Sequence, residues 1–332
     1  MAVIDTGDIY YSTNYGDSWI ESQGETSASY HAVSASSTGQ IVVASVGCFG
    51  SCAGYVVVSE SYGESFEVTT GLPSESFDSV AIGSEGSYII AAAYNDGLYI
   101  GQLSSLAPAS TPPAPTPGPA PSPGPYLAPT TTPTSFPALS SVTWTKSSAP
   151  ADCYNGVAIS SAGQYMAAAV CLGGGVWIFS DYGSSWIETS APTSGENWFS
   201  ITMSNSGEYM AVVSNAGGGS GNVYISSNYG SSWKSTFTGS YYWACIASDS
   251  TGQYLAATAN INGGIFLSSD YGQSWSKVTS VDSSLSWNWI STSSDGQYLA
   301  AVVGVNGNTG GIYVSSNYGS TWVQTTAPTA SW

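Results

Sequence analysis

The sequence contains no arginine, and its only strongly basic residues are Lys146, Lys234 and Lys277. Charged residues make up 7% of the chain, and the formal net charge is −18 at pH 7. Nucleic acids and anionic membrane surfaces are bound by clusters of lysine and arginine, so the composition argues against both partners. No apolar run approaches the length of a membrane span, which predicts no membrane insertion.

One stretch, Ser268–Trp275 (SSDYGQSW), recurs along the chain. The copies are Ser12–Trp19, Ser59–Phe66, Ser226–Trp233, Ser315–Trp322 and, one residue shorter, Ser180–Trp186. An Asp or Asn before Tyr-Gly suits a tight turn, because its side chain can bond the backbone two residues further on. The Gly supplies a positive φ, and the Trp begins an apolar strand. Each copy therefore predicts a β-hairpin.

This stretch resembles the Asp-box, or BNR, repeat of β-propellers such as sialidases and Asp-box lectins. The resemblance implies a propeller fold, and it is most complete at Ser268–Trp275. Asn14, Asn228 and Asn317 replace the Asp in three copies, and Ser61 replaces it in another. In sialidases an arginine triad binds the substrate carboxylate, so a chain without arginine is not a sialidase.

A second landmark precedes the hairpins: a Gly in a polar turn, followed by an aliphatic strand. It occurs at Gly39, Gly86, Gly163, Gly207, Gly252 and Gly296. A period of about 44 residues with four β-runs is typical of propeller blades. The predicted fold is all-β, a seven-bladed β-propeller of four-stranded antiparallel blades with Asp-box turns, whose first blade is shared by the termini. Residues 1–332 form a single domain in this prediction.

The predicted first blade is incomplete. Met1–Val3 align with the end of a second strand, and Trp332 aligns with the start of a first strand. The positions between these two points are missing. The count therefore predicts that the natural chain is longer or that the missing strand comes from elsewhere.

Residues 103–141 interrupt the period with a Pro-rich segment, predicted to be a polyproline-II insert. Gly97–Gln102 matches a third strand and Val142–Pro150 matches a fourth, which places the insert in the 3–4 turn of the third blade. Its Ala-Pro, Ser-Pro and Thr-Pro steps resemble the hydroxyproline-rich glycoproteins of plant and green-algal walls. That resemblance implies proline hydroxylation and O-linked glycans; the alternative is an undecorated, disordered loop.

The five cysteines predict two local disulfides and one free thiol. Cys153 and Cys171 lie symmetrically about the Ser160–Gly163 turn, and Cys48 and Cys52 flank Gly50. A metal site at Cys48 and Cys52 lacks a second Cys or His pair, so no metal is predicted. Cys245 is predicted to be buried and free. Disulfides indicate an oxidising compartment, here extracellular or at the cell surface.

Residues able to carry catalysis are scarce, and we predict neither an enzyme nor a cofactor. His31 is the single histidine, and most acidic residues lie in the recurring turns. Glu196 and Asp152, at the starts of predicted first strands, are the exceptions. Two carboxylates suffice for glycoside hydrolysis, so a glycoside hydrolase remains a second alternative.

An aromatic residue begins the first strand of every predicted blade, and in six of the seven a Val or Ile follows three residues later. The aromatic residues are Tyr30, Phe77, Tyr154, Trp198, Trp243, Trp287 and Trp332. Such recurrence is typical of core or inter-blade packing. The alternative is that exposed aromatic faces flanked by polar groups stack on sugar rings. The candidate sugar-binding residues are Trp198, Trp243, Trp287, Trp289, Asn197, Tyr242 and Asn288.

The leading functional prediction is a non-enzymatic extracellular structural or surface glycoprotein, a subunit of a larger repeating assembly. Its Pro-rich insert would contact neighbouring subunits or carry glycans. The alternative is a carbohydrate-binding lectin that uses the first-strand aromatics.

Overall fold

The recurring hairpins produce a structure built from strands and turns. The structure is a computed structural model and describes residues 2–3, 7–23, 28–47, 53–104, 141–183, 185–193, 196–215, 221–239, 241–261, 263–304 and 310–330. Within each sheet, every strand pairs antiparallel with the next strand of the chain, so each sheet is a meander. Among the described residues no helix is long and apolar enough to cross a membrane.

The described strands form six four-stranded sheets, here blades 1 to 6, and one three-stranded amino-terminal sheet. The amino-terminal sheet contains β1 (Ala2–Val3), β2 (Ile9–Tyr11) and β3 (Ile20–Glu21). Blade 1 contains β4 (Tyr30–Ala35), β5 (Val42–Val46), β6 (Tyr55–Ser59) and β7 (Glu67–Val68). Blade 2 contains β8 (Phe77–Ile82), β9 (Tyr88–Ala93), β10 (Gly97–Leu103) and β11 (Val142–Lys146).

The remaining four blades follow the same plan. Blade 3 contains β12 (Tyr154–Ile159), β13 (Met166–Val170), β14 (Val176–Phe179) and β15 (Ile187–Glu188). Blade 4 contains β16 (Trp198–Met203), β17 (Met210–Ser214), β18 (Gly221–Ser226) and β19 (Lys234–Gly239). Blade 5 contains β20 (Tyr242–Ser248), β21 (Leu255–Asn260), β22 (Gly264–Ser268) and β23 (Ser276–Lys277). Blade 6 contains β24 (Trp287–Thr292), β25 (Leu299–Val303), β26 (Ile312–Ser315) and β27 (Val323–Gln324).

The blades are arranged around a central axis, and the first strand of each blade lies nearest to it. The first strands β4, β8, β12, β16, β20 and β24 contact one another in this order. The second strands are buried along their whole length in several blades, as at β13 and β17. Small and branched apolar residues at these positions let adjacent blades pack face to face, so the core consists of apolar layers between neighbouring blades. The chain is a β-propeller.

The prediction of seven four-stranded blades, the first shared by the termini, is wrong. The structure has six four-stranded blades, and the amino-terminal sheet has three strands. Its recurring turn joins β2 to β3, so by comparison with the blades it contains the second, third and fourth strands, and no described strand takes the innermost position. At the other end, Ala330 pairs with Gly310 of blade 6 and adds no strand to the amino-terminal sheet. Trp332 lies outside the described residues.

The two strands that flank the Pro-rich segment pair with each other. Leu103 of β10 lies opposite Val142 of β11, and the pairing continues to Tyr99 and Lys146. The chain therefore leaves blade 2, the third in the predicted count, and returns to the same blade. Residues 105–140, which hold most of the predicted insert, lie outside the described residues.

Candidate functional site

The recurring aromatic residue at the start of each first strand is buried; in β20 it is the second residue, Trp243. Tyr30, Phe77 and Tyr154 are at most 3% exposed, and Trp198, Trp243 and Trp287 are at 0%. A register shift follows this residue directly in all six four-stranded blades, as between Trp198 and Ser200. The shift places one extra residue in the first strand. The aromatic ring and the Val or Ile three positions later can therefore both face the core.

The seven predicted sugar-binding residues are divided between the core and the surface. Trp198, Trp243 and Trp287 are fully buried and present no ring face to a ligand. Trp289 is 41% exposed. It occupies the position directly after the bulge of β24. Ser200 and Cys245 occupy the equivalent position in blades 4 and 5, and each is buried against the first strand of the next blade. Beyond β24 no described strand occupies the innermost position, so no such strand covers the exposed Trp289 ring.

Asn197, Tyr242 and Asn288, the polar members of the predicted set, are half-buried. The Asn197 Oδ1 accepts a 2.8 Å hydrogen bond from the Leu172 N–H. The carbonyl oxygen of Asn288 accepts a 3.2 Å bond from the Thr258 hydroxyl in the neighbouring blade. The Asn197 bond holds the turn that contains Leu172, and the Asn288 bond joins blades 5 and 6.

His31 and Asp78 occupy the bulges of blades 1 and 2, and their side chains meet across the blade boundary. The His31 Nδ1 lies 3.5 Å from the Asp78 Oδ1, and both side chains are largely buried. The Ser76 hydroxyl donates a 3.3 Å bond to the same carboxylate oxygen. The only histidine of the chain thus takes part in a contact between blades 1 and 2.

Glu196 is buried near the start of blade 4. Its Oε1 accepts hydrogen bonds from the Asn222 amide at 3.0 Å and the Tyr224 hydroxyl at 2.9 Å. Its Oε2 is buried without a hydrogen-bond partner among the described residues. Burial, followed by the hydrogen bond to Glu196, raises the pKa of Tyr224 to about 12. Tyr224 therefore remains a hydrogen-bond donor at neutral pH. Asp152 instead accepts a bond from the Cys153 N–H at the surface.

The recurring turn has one hydrogen-bond pattern, which is complete at Ser268–Trp275. The Ser268 hydroxyl accepts from the Gly272 N–H at 2.9 Å and donates to Asp270 at 2.8 Å. The Asp270 carboxylate accepts from both the backbone and the hydroxyl of Ser274. The Ser274 hydroxyl, then its N–H, lowers the pKa of Asp270. Gly272 has φ of 77°, and a Cβ there would lie 2.7 Å from Ile225 of the preceding blade.

The Tyr of each recurring turn adopts a positive φ, which is uncommon for a bulky side chain. In five of the six turns this ring contacts a Tyr near the second strand of the preceding blade, with centroids 4.5–5.4 Å apart. The pairs are Tyr88–Tyr182, Tyr165–Tyr229, Tyr209–Tyr271, Tyr254–Tyr318 and Tyr298–Tyr15. They form a series of aromatic pairs on the face of the propeller that carries the 1–2 and 3–4 turns.

A cleft of about 330 Å³ lies between blades 5 and 6 on this face. The rings of Tyr254, Trp275 and Tyr318 and the hydroxyls of Ser274 and Thr292 contribute to its lining. None of the described lining residues is charged. The corresponding space beside the Tyr209–Tyr271 pair has a volume of only about 10 Å³.

The structure confirms two of the predictions about cysteine. Cys153 and Cys171 are disulfide-bonded with their Cα atoms 5.5 Å apart, and Cys245 is free and buried. Cys48 and Cys52 lie outside the described residues. Within the described ranges, His, Cys, Asp and Glu side chains form no group of three or more that could hold a metal ion.

Comparisons with known proteins identify the fold and no family. No family model matches the chain, and no curated protein matches it. Among solved structures, an ancestral GH74 enzyme is similar with a TM-score of 0.56 and 16% identity, over 97% of this chain and 40% of that one. YCF48 bound to a D1 peptide is similar with a TM-score of 0.54 and 11% identity, over 94% and 84%.

The β-propeller domain of Cps50 (Swd1) from Myceliophteria thermophila has a TM-score of 0.53 and 11% identity, over 86% of this chain and 83% of that domain. At such identities the similarity concerns the fold alone, which hosts many functions. The chain is thus a β-propeller with recurring Ser-Asp/Asn-Tyr-Gly turns, and its function has to be inferred from its own residues.

Sequence reasoning missed the tyrosine pairs and the cleft. Both halves of each pair are visible in the sequence, as a Tyr before the turn Gly and a Tyr two residues after the landmark Gly. Their meeting is a contact between two blades, which the period alone does not reveal. The register shift did have a signal, because two buried positions three residues apart do not fit the simple alternation of a strand.

Proposed function

We propose that this protein is a non-enzymatic structural protein of the extracellular space or cell surface. The observation that carries the proposal is that its recurring polar and aromatic residues bind one another within the ring. The Asp270 carboxylate accepts hydrogen bonds from its own turn, and the first-strand tryptophans fill the layers between blades. Such residues build a rigid frame rather than a catalytic site.

Two further properties support this location. The Cys153–Cys171 disulfide is of the kind that persists in oxidising compartments. The chain also combines 7% charged residues with a net charge of −18, so it has little electrostatic attraction for nucleic acids or anionic lipids.

The location is tested on protein from its native cells, with free thiols blocked before lysis. We expect Cys153 and Cys171 in one disulfide-linked peptide and the protein in the fraction labelled by a membrane-impermeant amine reagent. Lys146 is available to that reagent on the surface. Recovery of both cysteines as blocked thiols in the unlabelled fraction would refute the extracellular location.

The non-enzymatic assignment is tested by incubating the protein with a panel of neutral polysaccharides and measuring reducing-end release. We expect none above the level of a Glu196→Gln variant, because Glu196 is held by Asn222 and Tyr224. Hydrolysis that Glu196→Gln abolishes would instead favour the glycoside hydrolase alternative, with Glu196 as one of its carboxylates.

We also propose that residues 103–141 contact neighbouring molecules or carry O-linked glycans. The support is the pairing of β10 with β11, which makes this segment an excursion from one blade. A long connection within a hairpin costs little in stability, because the entropy of loop closure grows only logarithmically with length.

A deletion tests this second proposal. Residues 105–140 are replaced by a short Asn-Gly turn, and the variant is compared with the full chain by sedimentation and by intact mass after expression in a glycosylating host. We expect a folded propeller that has lost self-association or glycan mass. A deletion variant with the association state and glycan content of the full chain would rule the proposal out.

Carbohydrate binding is a second candidate function, favoured by the cleft between blades 5 and 6. Aromatic rings and hydroxyl groups without charge suit a neutral sugar, whose CH faces stack on rings and whose hydroxyls form hydrogen bonds. The volume of about 330 Å³ lies at the lower end of the range for small-molecule sites. The sugar contacts proposed on this basis are Tyr254, Trp275 and Tyr318, away from the buried tryptophans.

A glycan array followed by titration tests this candidate with a matched pair of variants. Tyr318→Asn removes a cleft ring while keeping a residue that tolerates a positive φ. Tyr271→Asn makes the same change beside the much smaller cavity. We expect tenfold or greater loss of affinity for Tyr318→Asn alone. Equal loss in both variants, or no ligand on the array, would remove the candidate.

A further inference from the structure

Among the described residues, the seam between blade 6 and the amino-terminal sheet has less buried apolar packing than the boundaries between the four-stranded blades. Its apolar cluster has one fully buried described residue, Ile312, with Tyr10, Trp19, Val302 and others packed against it. The cluster between blades 1 and 2, by contrast, is built from a long series of buried residues such as Phe77 and Ile89. On the outer part of this seam, the Thr326 hydroxyl donates a 3.0 Å bond to the Asp17 carbonyl oxygen.

Two tyrosine rings also meet across this seam. The rings of Tyr15 and Tyr298 have centroids 5.0 Å apart and an interplanar angle of 26°. They are nearer to parallel than the rings of the other four pairs, whose angles are 35–40°. Tyr15 is 77% exposed, the largest exposure of any turn tyrosine. An oxidant in solution therefore has direct access to one ring of a pair that is already in contact.

We propose that Tyr15 and Tyr298 form a site of oxidative coupling, which joins the amino-terminal sheet to blade 6 through a dityrosine bond. The co-reactant is a one-electron oxidant, such as a haem peroxidase supplied with hydrogen peroxide. Each phenol loses one electron and its hydroxyl proton to give a phenoxyl radical, whose unpaired electron is shared with the ortho carbons. A carbon–carbon bond forms between one Cε of each ring.

The atoms and electrons balance over the whole step. The hydrogen on each coupled Cε leaves as the ring regains aromaticity, and each oxygen is reprotonated, so both hydroxyl groups persist. Two C–H bonds are lost, and two electrons and two protons are released. Hydrogen peroxide accepts them and becomes two molecules of water. The two tyrosines are oxidised, and the peroxide is reduced.

The position of the bond gives it a structural consequence. Tyr15 and Tyr298 are roughly 280 residues apart in the chain, and a covalent link between such distant points constrains the unfolded state strongly. It would also reinforce the seam where Ile312 is the one fully buried described residue of the apolar cluster. The other tyrosine pairs lie at boundaries with extensive apolar layers, such as Tyr254–Tyr318 between blades 5 and 6.

Tyr62 provides an internal control for exposure. It occupies the same turn position, has φ of 57° and is 56% exposed. No ring contact joins it to another described residue. If exposure alone determined the chemistry, Tyr62 would react as readily as Tyr15 and would form bonds between molecules.

The experiment treats the full chain, at low concentration, with a haem peroxidase and limiting hydrogen peroxide. Products are followed by dityrosine fluorescence and by mass spectrometry of proteolytic peptides. We expect a Tyr15–Tyr298 cross-linked peptide in a chain of monomeric mass, with a thermal unfolding midpoint raised by about 5 °C or more. Tyr15→Phe keeps the ring and should lose the cross-link and the shift, whereas Tyr182→Phe should keep both.

Four outcomes would refute the proposal. The proposal fails if the Tyr15–Tyr298 peptide is absent while other pairs couple, if no dityrosine forms, or if Tyr15 couples mainly between molecules. It also fails if cross-linked protein unfolds at the midpoint of the untreated chain. Circular dichroism of Tyr15→Phe before oxidation confirms that the variant is folded, so a lost cross-link reports the missing phenol.

Discussion

The indole Nε1 of Trp275 donates a 3.0 Å hydrogen bond to the carbonyl oxygen of Gly272, three residues earlier in the same turn. Trp19 and Trp322 make the same bond to Gly16 and Gly319. Trp233 occupies the same position in blade 4, but its Nε1 is buried without a partner among the described residues. The Trp of the recurring turn therefore bonds the Gly carbonyl oxygen in three copies, whereas in blade 4 its Nε1 has no partner among the described residues.

This difference predicts unequal costs for one substitution. Trp275→Phe removes the donor that bonds the Gly272 carbonyl oxygen at 3.0 Å and the Thr236 hydroxyl at 3.4 Å, whereas Trp233→Phe removes a donor without a partner among the described residues. Both lose similar ring volume. We expect Trp275→Phe to lower the free energy of unfolding by about 1 kcal/mol more than Trp233→Phe, measured by urea denaturation. Equal losses would show that the indole bond adds nothing to stability.

The carboxylate of Asp270 is predicted to stabilise its turn. Asp270→Ala should lower the free energy of unfolding by about 1 kcal/mol, because Ser268 and Ser274 lose their common acceptor. Asp270→Asn should be close to neutral, since Asn228 and Asn317 occupy the same position and accept the same backbone bond. An Asn variant as unstable as the Ala variant would contradict this account.

The same carboxylate predicts a dependence of stability on pH. Hydrogen bonds from Ser274 lower the pKa of Asp270 in the folded protein below its ordinary value of 3.8. Its contribution to stability is therefore present above that value and is lost as the pH falls through the folded pKa. We expect the stability difference between the wild type and Asp270→Asn to be constant at neutral pH and to change only below about pH 4. A change centred near neutral pH would exclude Asp270 as its source.

Removal of the disulfide should destabilise the protein. Cys153 and Cys171 are 18 positions apart, and a loop of that size contributes about 3 kcal/mol by chain entropy. We expect the Cys153→Ala/Cys171→Ala variant to unfold at lower denaturant concentration, and a reductant to shift the wild type in the same direction. A reductant that leaves the wild type unaffected would contradict the prediction. If the reductant also lowers the denaturation midpoint of the double variant, that shift would report the predicted Cys48–Cys52 bond.

The four first-strand tryptophans of the predicted sugar site should respond differently to truncation. Trp198→Ala, Trp243→Ala and Trp287→Ala remove fully buried rings and should each cost about 3–5 kcal/mol. Trp289→Ala removes an exposed ring and should cost less than about 1 kcal/mol. Thermal denaturation checks this. A loss at Trp289 as large as at Trp243 would mean that its ring is packed in solution.

The sequence by itself determined the local structure of this protein. The Asp or Asn, Tyr and Gly of the turns specify hairpins because their preferences are local, so the 3–4 turns, the meander order and the propeller class could all be predicted. The matching flanks of the Pro-rich segment predicted strands that pair as β10 and β11. The Cys153–Cys171 bond was predictable because two cysteines placed symmetrically about one turn face each other across the two strands that the turn joins.

The tertiary structure alone decided what depends on contacts between blades. It showed six four-stranded blades and one three-stranded sheet, because no further described strand pairs with β1 to β3. It buried Trp198, Trp243 and Trp287, because a bulge aligns each ring with the core. It also brought Tyr15 to Tyr298 and opened the cleft beside Tyr318, since residues far apart in the chain meet only when the blades close into a ring.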